Sequence, residues 1–467
     1  MRVSALKNQE EILRGNLWKA ILSLAVPVFI NSFIQTMYNL TDTYWLGKLG
    51  TEQLAAINLV TPVQNIIINF GSGITVAGSV LIAQYIGAGE KQAARSIANQ
   101  IFVCAMGFAL VCAALCFLFT PAIVRWLGAD GETYLHAVVY LRVVLWDMPF
   151  LFMVNIFSAV HQSQGDAVSP MFLNLLGIVL NMILDPALIV LFGMGVAGAA
   201  LATVFAKLVP AAVAFYLLAK SRDDVALDRK YMRLEREGVG LILRIGLPTA
   251  IGGSTMQLGF LLMSRNVYVY GTQAMAAYGI GNKVNSLVTL PTNGIGSAVS
   301  TIVGQNMGAG RIDRARKGYL IAMGISVVFL LVGGGILSLA PISTAVVGTF
   351  SEDPGVIAMA ADFLSIMAFW CFANGVYNAT TGLFNGTGHT EVTMAISATR
   401  LWVFRFVTLW FCESVLKLGV RSVWYSVVVS NGISAVILYI LYLTGIWKKS
   451  KIRTHKEQNK ENESSAA

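Results

Sequence analysis

Charged residues are scarce in this sequence. Asp, Glu, Lys and Arg together make up 12% of the 467 residues, whereas 56% are hydrophobic. A soluble globular chain carries about 25% charged residues. So little charge leaves too little polar surface to cover a water-soluble body, and the composition therefore indicates a protein embedded in a membrane.

Cysteine and histidine are also few, and they form no pattern. The five cysteines fall within apolar runs, where they are expected to be small buried hydrophobic residues. Neither they nor the four histidines show the spacing of a disulfide framework or of a metal site. A dinucleotide-like glycine pattern at residues 193–198 has no strand before it, and no Gly-x-Ser-x-Gly motif occurs. The sequence therefore predicts a protein that is not an enzyme and that has no cofactor.

Apolar runs of about 20 residues or more, long enough to cross a bilayer, fill most of the chain. The first is too long for the core of a signal peptide, and no small-residue cleavage site follows it. The twelve runs lie at about 17–44, 57–84, 97–119, 133–160, 168–192, 196–219, 241–270, 278–305, 317–340, 356–386, 392–416 and 421–447.

The two halves of the sequence repeat each other at a shift of 221 residues. Pro27 then falls on Pro248, Arg95 on Arg316, and the Gln-x-x-Gly-Ala-Gly motif at residues 84–89 on that at 305–310. Six spans in each half give a parallel repeat, which is typical of secondary transporters. The predicted fold is all-α and membrane-integral, with twelve transmembrane helices in two six-helix lobes. The N-lobe covers residues 1–219, a cytoplasmic linker 220–240, the C-lobe 241–447 and a polar tail 448–467.

The net charge of +9 follows the predicted topology. Lys and Arg concentrate in the N-terminal segment, in the loops after even-numbered spans, in the linker and in the tail. The positive-inside rule therefore places both termini in the cytoplasm and the chain in the cell (inner) membrane. The charge is explained without a nucleic-acid partner.

Several spans carry polar residues at helical spacing. In span one they are Asn31, Gln35, Tyr38 and Asp42, at steps of 4, 3 and 4, and spans two, five, eight and ten carry similar stripes. Polar contacts between helices are the simpler explanation of any one stripe. Stripes in several spans favour a hydrated cavity within or between the lobes.

Three carboxylates lie well inside spans of the first half: Asp42, Asp147 and Asp185. A charge at that depth is costly, so each is expected to have a partner, a proton or a bound cation. Asn181 lies one turn before Asp185 on the same face, and Thr203 in the next span adds a hydroxyl. Together these side chains are suited to bind one H⁺ or Na⁺.

Two structural alternatives involve basic residues. Asp185 in a salt bridge with Lys207 or Arg142 is the alternative to a cation site. Arg142, about a turn and a half before Asp147, is the expected partner of that carboxylate. Pro186 weakens the helix after Asp185 and is expected to leave a backbone carbonyl free as a further ligand.

These features resemble the multidrug and toxic compound extrusion (MATE) family. The residues that carry the resemblance are Pro27, the Asp42-Thr-Tyr-Trp-Leu-Gly segment, Asn181-x-x-x-Asp185-Pro186 and the repeated Gln-x-x-Gly-Ala-Gly motif. The resemblance covers about residues 10–447. It implies export of organic, often cationic and amphipathic compounds by antiport against Na⁺ or H⁺. It places the cation site at Asp42, Asn181, Asp185 and Thr203, whose oxygen atoms would be the ligands when Na⁺ is the coupling ion.

One departure from the family concerns the C-lobe. Some members use carboxylates in spans seven and ten, but span seven here carries Arg265 instead, and Asp362 in span ten lies near an end. We therefore expect coupling through the N-lobe. Cation entry is expected to let span one bend near Pro27, narrow the cavity and displace the substrate. The residues expected to line the substrate cavity are Asn31, Phe33, Gln35, Tyr38, Met256 and Met263.

Two other functions remain as alternatives. A flippase for a lipid-linked sugar or a phospholipid needs a cationic cavity, and the intramembrane basic residues Arg265, Lys283, Arg400 and Arg405 keep this alternative open. A membrane-embedded lipid-modifying enzyme needs a catalytic cluster at one membrane face, which the sequence does not show. The expected partners are small organic molecules and membrane lipid, and the expected state is a monomer.

Overall fold

The computed structural model describes residues 2–47, 51–221 and 225–449, and these contain helices but no β-strand. The α-helices are α1 Arg2–Arg14, α2 Leu17–Gly47, α3 Thr51–Ala88, α4 Lys91–Trp126, α5 Gly131–Val144, α6 Met148–Ser163, α7 Val168–Pro186, α8 Gly195–Lys220, α9 Arg236–Tyr268, α10 Thr272–Gly308, α11 Ile312–Ser338, α12 Ala340–Gly348, α13 Pro354–Phe369, α14 Phe372–Gly386, α15 Thr390–Thr399, α16 Phe406–Ser414 and α17 Arg421–Leu443. Short 3₁₀ helices cover Leu145–Asp147, Arg229–Tyr231 and Ile446–Lys448, and π-helices cover Ala187–Leu191 and Arg400–Arg405.

All twelve predicted spans correspond to helices. Within the described residues, 10 helices are long and apolar enough to cross a membrane, or 11 when the bent pair α13 and α14 counts as one. The predicted span that is not among these 11 is α10. It is long enough to cross a membrane, but its polar stripe lowers its hydropathy. The chain is thus an all-α, multi-pass membrane protein with twelve membrane spans in a two-lobe repeat.

Four spans are not continuous α-helices, and one of them is span ten, whose helices α13 and α14 are bent by 51°. Pro149 has no N–H to donate to the carbonyl of Leu145, so this carbonyl accepts from Met148 and a 3₁₀ turn separates α5 from α6. A π-helix follows Pro186 in span five, and another lies between α15 and α16 in span eleven. The sequence analysis also missed α1 and the short α12.

The internal repeat is visible in the backbone. Gly89 and Gly310, which the shift of 221 residues superimposes, both have positive φ, at 79° and 71°. Each follows a long helix, α3 or α10, and begins the turn to the next. A side chain is disfavoured in this conformation, so glycine closes the same turn in both halves.

The chain forms two compact units, and their boundaries divide two helices just after a proline. The first unit contains Ile30–Ala250 and the residues up to Glu10, and the second contains Glu11–Phe29 and Ile251–Arg453. Helix α2 is therefore divided after Pro27, and helix α9 after Pro248.

Close backbone contacts join each of these helix beginnings to its unit. In the first unit, a Cβ on Gly246 of α9 would lie 2.8 Å from the carbonyl oxygen of Gly73 in α3. In the second unit, a Cβ on Gly294 of α10 would lie 2.6 Å from the carbonyl oxygen of Ala25 in α2. The repeat shift relates the two contacts, so both units use one small-residue helix crossing.

Each unit has its own aromatic and aliphatic core. In the first unit, Phe152 and Leu141 are fully buried, together with aliphatic residues of α3 and α5. In the second, the ring of Trp424 lies 4.8 Å from that of Phe363 in an edge contact and stacks on Tyr278 at 6.0 Å. These cores fix the helices that carry the polar residues described below.

The C-terminal end of α1 is held by a side chain of α11. Nε of Arg314 donates to the carbonyl of Ile12 at 3.0 Å, and one Nη donates to the carbonyls of Glu11 and Gly15 at 3.2 and 2.6 Å. The last carbonyls of a helix have no partner within it, and a cation there is favoured by the helix dipole. Arg314 is therefore the C-terminal cap of α1.

Candidate functional site

A cavity with a mostly apolar wall and several polar side chains lies within the first unit, between helices of four spans. The volume that water-sized molecules can occupy is about 80 Å³, and the cavity is partly open to the outside. Helix α2 contributes residues near its middle, α6 contributes apolar residues, and α7 and α8 contribute both kinds. The lining residues are Gln35, Tyr38, Leu151, Val154, Asn174, Gly177, Ile178, Asn181, Thr203, Ala206, Lys207 and Pro210.

One face of α7 carries the most buried polar groups of this region. Asn174, Ile178, Asn181 and Asp185 follow each other at steps of 4, 3 and 4, which places them on one side of the helix. Asn181 is 3% exposed and Asp185 is 1% exposed. Among the residues that the structure describes, neither Oδ1 nor Nδ2 of Asn181 has a hydrogen-bond partner. A buried amide without a hydrogen-bond partner costs about 1–3 kcal/mol of folding free energy. A polar ligand would remove this cost, so the position is suited to bind one.

The two neighbours of this face add further oxygen atoms. The hydroxyl of Thr203 in α8 donates to the carbonyl of Ala199 at 3.1 Å, so its own oxygen still has lone pairs for a cation. Asp185 is followed by Pro186, whose missing N–H leaves the carbonyl of Met182 without its usual helical donor. A π-helix then begins at Ala187. The structure thus brings Asn181 and Thr203 to one cavity, with Asp185 one turn further along α7.

The predicted pair of Asp147 with Arg142 is wrong. Asp147 is 2% exposed and forms an ion pair with Lys207 of α8. Residues five apart on a helix point about 140° away from each other, and α5 ends between these two. The guanidinium of Arg142 instead lies 5.3 Å from the ring centroid of Phe117. Lys207 is therefore engaged by Asp147.

The remaining predicted residues are distributed over both units. Asp42 lies on α2, but its side chain is outside the described residues. Gln35 and Tyr38 line the cavity, and Gln35 donates to Asn39 at 3.4 Å.

The other four substrate candidates and the proline lie elsewhere. On the same helix, Asn31 is half-buried and Phe33 is 44% exposed. Neither is among the lining residues. In the second unit, Met256 contacts Arg400 and Met263 is fully buried in the core. Pro27 lies within α2, close to the boundary between the units. The roles of these residues stay predictions.

The sequence analysis missed Lys207 as a cavity residue. Its ammonium group is held at the wall of the cavity by Asp147, and its side chain is 31% exposed. The available signal was the spacing: Lys207 follows Thr203 by one helical turn, so both residues point to the same side of α8.

Comparison with known proteins gives relatives along nearly the whole chain. A probable multidrug resistance protein NorM of Thermotoga maritima is 28% identical over 97% of this chain and 98% of its own length. A probable multidrug resistance protein YoeA of Bacillus subtilis is 26% identical, with 94% and 96% covered. The multidrug export protein MepA of Staphylococcus aureus is 26% identical, with 80% and 83% covered.

Solved structures match the fold over similar lengths. A crystal structure of MATE in complex with MaL6 superimposes with a TM-score of 0.89 at 26% identity, covering 93% of this chain and 98% of that one. A MOP superfamily transporter from Pyrococcus furiosus, described with a binding pocket of reverse polarity, gives 0.87 at 27% identity, with 94% and 98% covered.

The family model MatE matches residues 27–187 and 248–411, that is, both copies of the internal repeat. The match includes the α2 proline, the buried face of α7 and the corresponding part of the second half. The chain therefore belongs to the multidrug and toxic compound extrusion (MATE) family, and it is a transporter rather than an enzyme.

Proposed function

We propose that this transporter exports small organic molecules, often cationic and amphipathic, by antiport against Na⁺ or H⁺. The observation that carries the proposal is the buried face of α7, where the unpartnered amide of Asn181 lies one turn from the carboxylate-bearing Asp185. The relatives named above are multidrug resistance and export proteins, which supports the substrate class.

The coupling cation is proposed to bind in the first unit. Asp185 supplies the negative charge, Asn181 and Thr203 supply neutral oxygen atoms, and Asp42 is the further carboxylate that the family pattern adds. Na⁺ is a hard cation that takes oxygen ligands, and a proton needs only a carboxylate. The Asp147–Lys207 pair contributes no net charge, so the negative charge at the proposed site comes from Asp185 and Asp42.

The transport cycle is proposed to alternate access between the two sides of the membrane. Substrate binds from the cytoplasm or the inner leaflet while the carboxylates are ionised. External Na⁺ or H⁺ then neutralises them, α2 bends near Pro27, and the substrate leaves. The protein is proposed to act in the cell membrane as a monomer, with both termini in the cytoplasm.

Proteoliposomes loaded with ethidium test this proposal. Efflux is measured under a Na⁺ gradient and then under a pH gradient, for the wild type, Asp42→Asn, Asp185→Asn and Asn181→Ala. Asp313→Asn, which removes an exposed carboxylate at the start of α11, is the matched control. We expect loss of gradient-driven efflux in both Asp42→Asn and Asp185→Asn and wild-type efflux in the control.

The Asn181 variant distinguishes the two ions. It should impair Na⁺-driven efflux far more than H⁺-driven efflux, because only Na⁺ needs the amide oxygen as a ligand. Folded protein that moves no ethidium under either gradient, or an Asp185→Asn variant with wild-type efflux, would refute the proposal.

A further inference from the structure

Two arginines are buried inside span eleven, in the second unit. Arg400 is 8% exposed and Arg405 is 3% exposed. A positive charge within a membrane span is costly and usually has a partner of opposite charge. Among the residues that the structure describes, the carboxylates that form ion pairs do so with other cations, and none pairs with either of these guanidinium groups.

The contacts of both guanidinium groups are with neutral groups. Nε of Arg405 donates to the hydroxyl of Ser430 and one Nη to Oδ1 of Asn431, each at 3.1 Å. The guanidinium carbon of Arg400 lies 4.3 Å from the ring centroid of Tyr377, and Nη2 lies 3.7 Å from Sδ of Met256. Nε of Arg400 is buried and has no hydrogen-bond partner within the described part of the chain.

The local backbone brings the two charges to one side of the helix. In an α-helix, residues five apart point about 140° away from each other. Arg400–Arg405 is a π-helix, whose hydrogen bonds join residues five apart, so that these lie nearly above one another. The two guanidinium groups consequently repel each other.

We propose that Arg400 and Arg405 form an anion-binding site that takes the carboxylate or phosphate group of an amphipathic molecule. An oxyanion supplies the missing negative charge and accepts a hydrogen bond from Nε of Arg400, which has no acceptor among the described residues. Charge-assisted hydrogen bonds from guanidinium to an oxyanion are among the strongest that proteins make. The ring of Tyr377 and the sulfur of Met256 are suited to contact the apolar part of the ligand.

The site is separate from the proposed cation site in the first unit. Anion binding needs no gradient, so equilibrium binding tests this inference apart from the transport function. Loss of drug export with intact anion binding would count against the proposed function alone. Absence of anion binding with intact export would count against this inference alone.

The test is isothermal titration calorimetry on the full chain in phosphatidylcholine nanodiscs. The probes are 2-naphthoate and 2-naphthylmethylammonium, which share a ring system and differ in charge. The variants are Arg400→Gln and Arg400→Lys. Arg229→Gln, which removes an exposed arginine of the linker, is the matched control. Arg405 is left unchanged, because it holds α17 through Ser430 and Asn431 and its replacement would disturb the packing of that helix.

We expect the wild type to bind naphthoate more tightly than the ammonium analogue. Arg400→Gln should weaken naphthoate binding by about tenfold to a hundredfold, the usual effect of losing a charged hydrogen bond. Arg400→Lys should lose less, and the control should match the wild type. Naphthoate binding that is undiminished in a folded Arg400→Gln protein would overturn the proposal, whatever the affinity for the ammonium analogue, which is of the cationic class proposed as transport substrate.

A second arm identifies the source of the anion. The titration is repeated in nanodiscs of phosphatidylcholine mixed with phosphatidic acid. If this lipid abolishes naphthoate binding to the wild type, the site holds a lipid phosphate headgroup. If naphthoate still binds as before, the site takes the carboxylate of a soluble amphiphile. Either result supports an anion site.

Discussion

The ion pair between Asp147 and Lys207 gives a quantitative prediction for Lys207→Met. Methionine keeps the length of the side chain but removes the charge that balances Asp147, a carboxylate only 2% exposed. Removing one partner of a buried ion pair costs about 3–5 kcal/mol. Because the lysine side chain is 31% exposed and the pair is partly screened, we expect the lower end, about 3 kcal/mol of unfolding free energy.

The opposite replacement should cost less. In Asp147→Asn the ammonium group of Lys207 loses its partner, but it can turn towards water in the cavity. We therefore expect a loss of about 1 kcal/mol, the net value of one ordinary hydrogen bond. The double variant Asp147→Leu with Lys207→Met contains neither charge and should lie within about 1 kcal/mol of the wild type, because an apolar replacement of a buried pair is often neutral.

The assay is reversible unfolding by SDS from dodecyl maltoside micelles, followed by far-ultraviolet circular dichroism. The comparison needs the wild type, both single variants and the double variant under one set of conditions. Two results would refute the reasoning: Lys207→Met as stable as the wild type, or a double variant as unstable as Lys207→Met. Either would mean that the pair is not desolvated as described.

Three further predictions concern other parts of the chain. Gly246→Ala should destabilise the protein by about 1–3 kcal/mol in the same assay, because the new Cβ meets the backbone of Gly73. The control is Gly240→Ala, whose Cβ meets nothing within 4 Å in the described structure. It should be neutral or stabilising. Arg314→Gln should increase hydrogen–deuterium exchange in the last turn of α1, and unchanged exchange would show that the cap does not anchor this helix. Hydrogen bonds from the backbone N–H of Gly355 and, more weakly, from the side chain of Gln273 hold the pKa of Asp353 below its usual range. This stabilisation should therefore be present at neutral pH and be lost as the pH falls through that lowered pKa, a loss that Asp353→Ala should not show.

Much of the membrane topology followed from the sequence, because composition and period are local properties. Twelve apolar runs gave twelve spans, and the repeated Gly-Ala-Gly motif marked turns that the structure closes in the same way in both halves. The face of α7 with Asn181 and Asp185 also followed from spacing alone, since helical geometry fixes which residues share a side.

The partner of Asp147 did not follow from the sequence. Five residues along a helix already turn Arg142 about 140° away from Asp147, so spacing excludes this pair but does not supply another partner. Lys207 is sixty residues further along the chain, so only the packing of α6 against α8 brings the two charges together. The π-helix that aligns Arg400 with Arg405 was hidden for a similar reason, because no residue type marks such a turn.

The exchange of helix beginnings between the repeats has a consequence for biosynthesis. The first unit uses residues 236–250, which the ribosome makes after the sixth span and the linker, so its α3 has no partner at Gly73 until α9 enters the membrane. The segment Glu11–Phe29 is made first and waits for α10, some 250 residues later. Neither half of the chain can therefore complete its unit during translation without the other. Separate expression of residues 1–219 should yield a protein that membrane quality control degrades, and co-expression of the remaining half should rescue it.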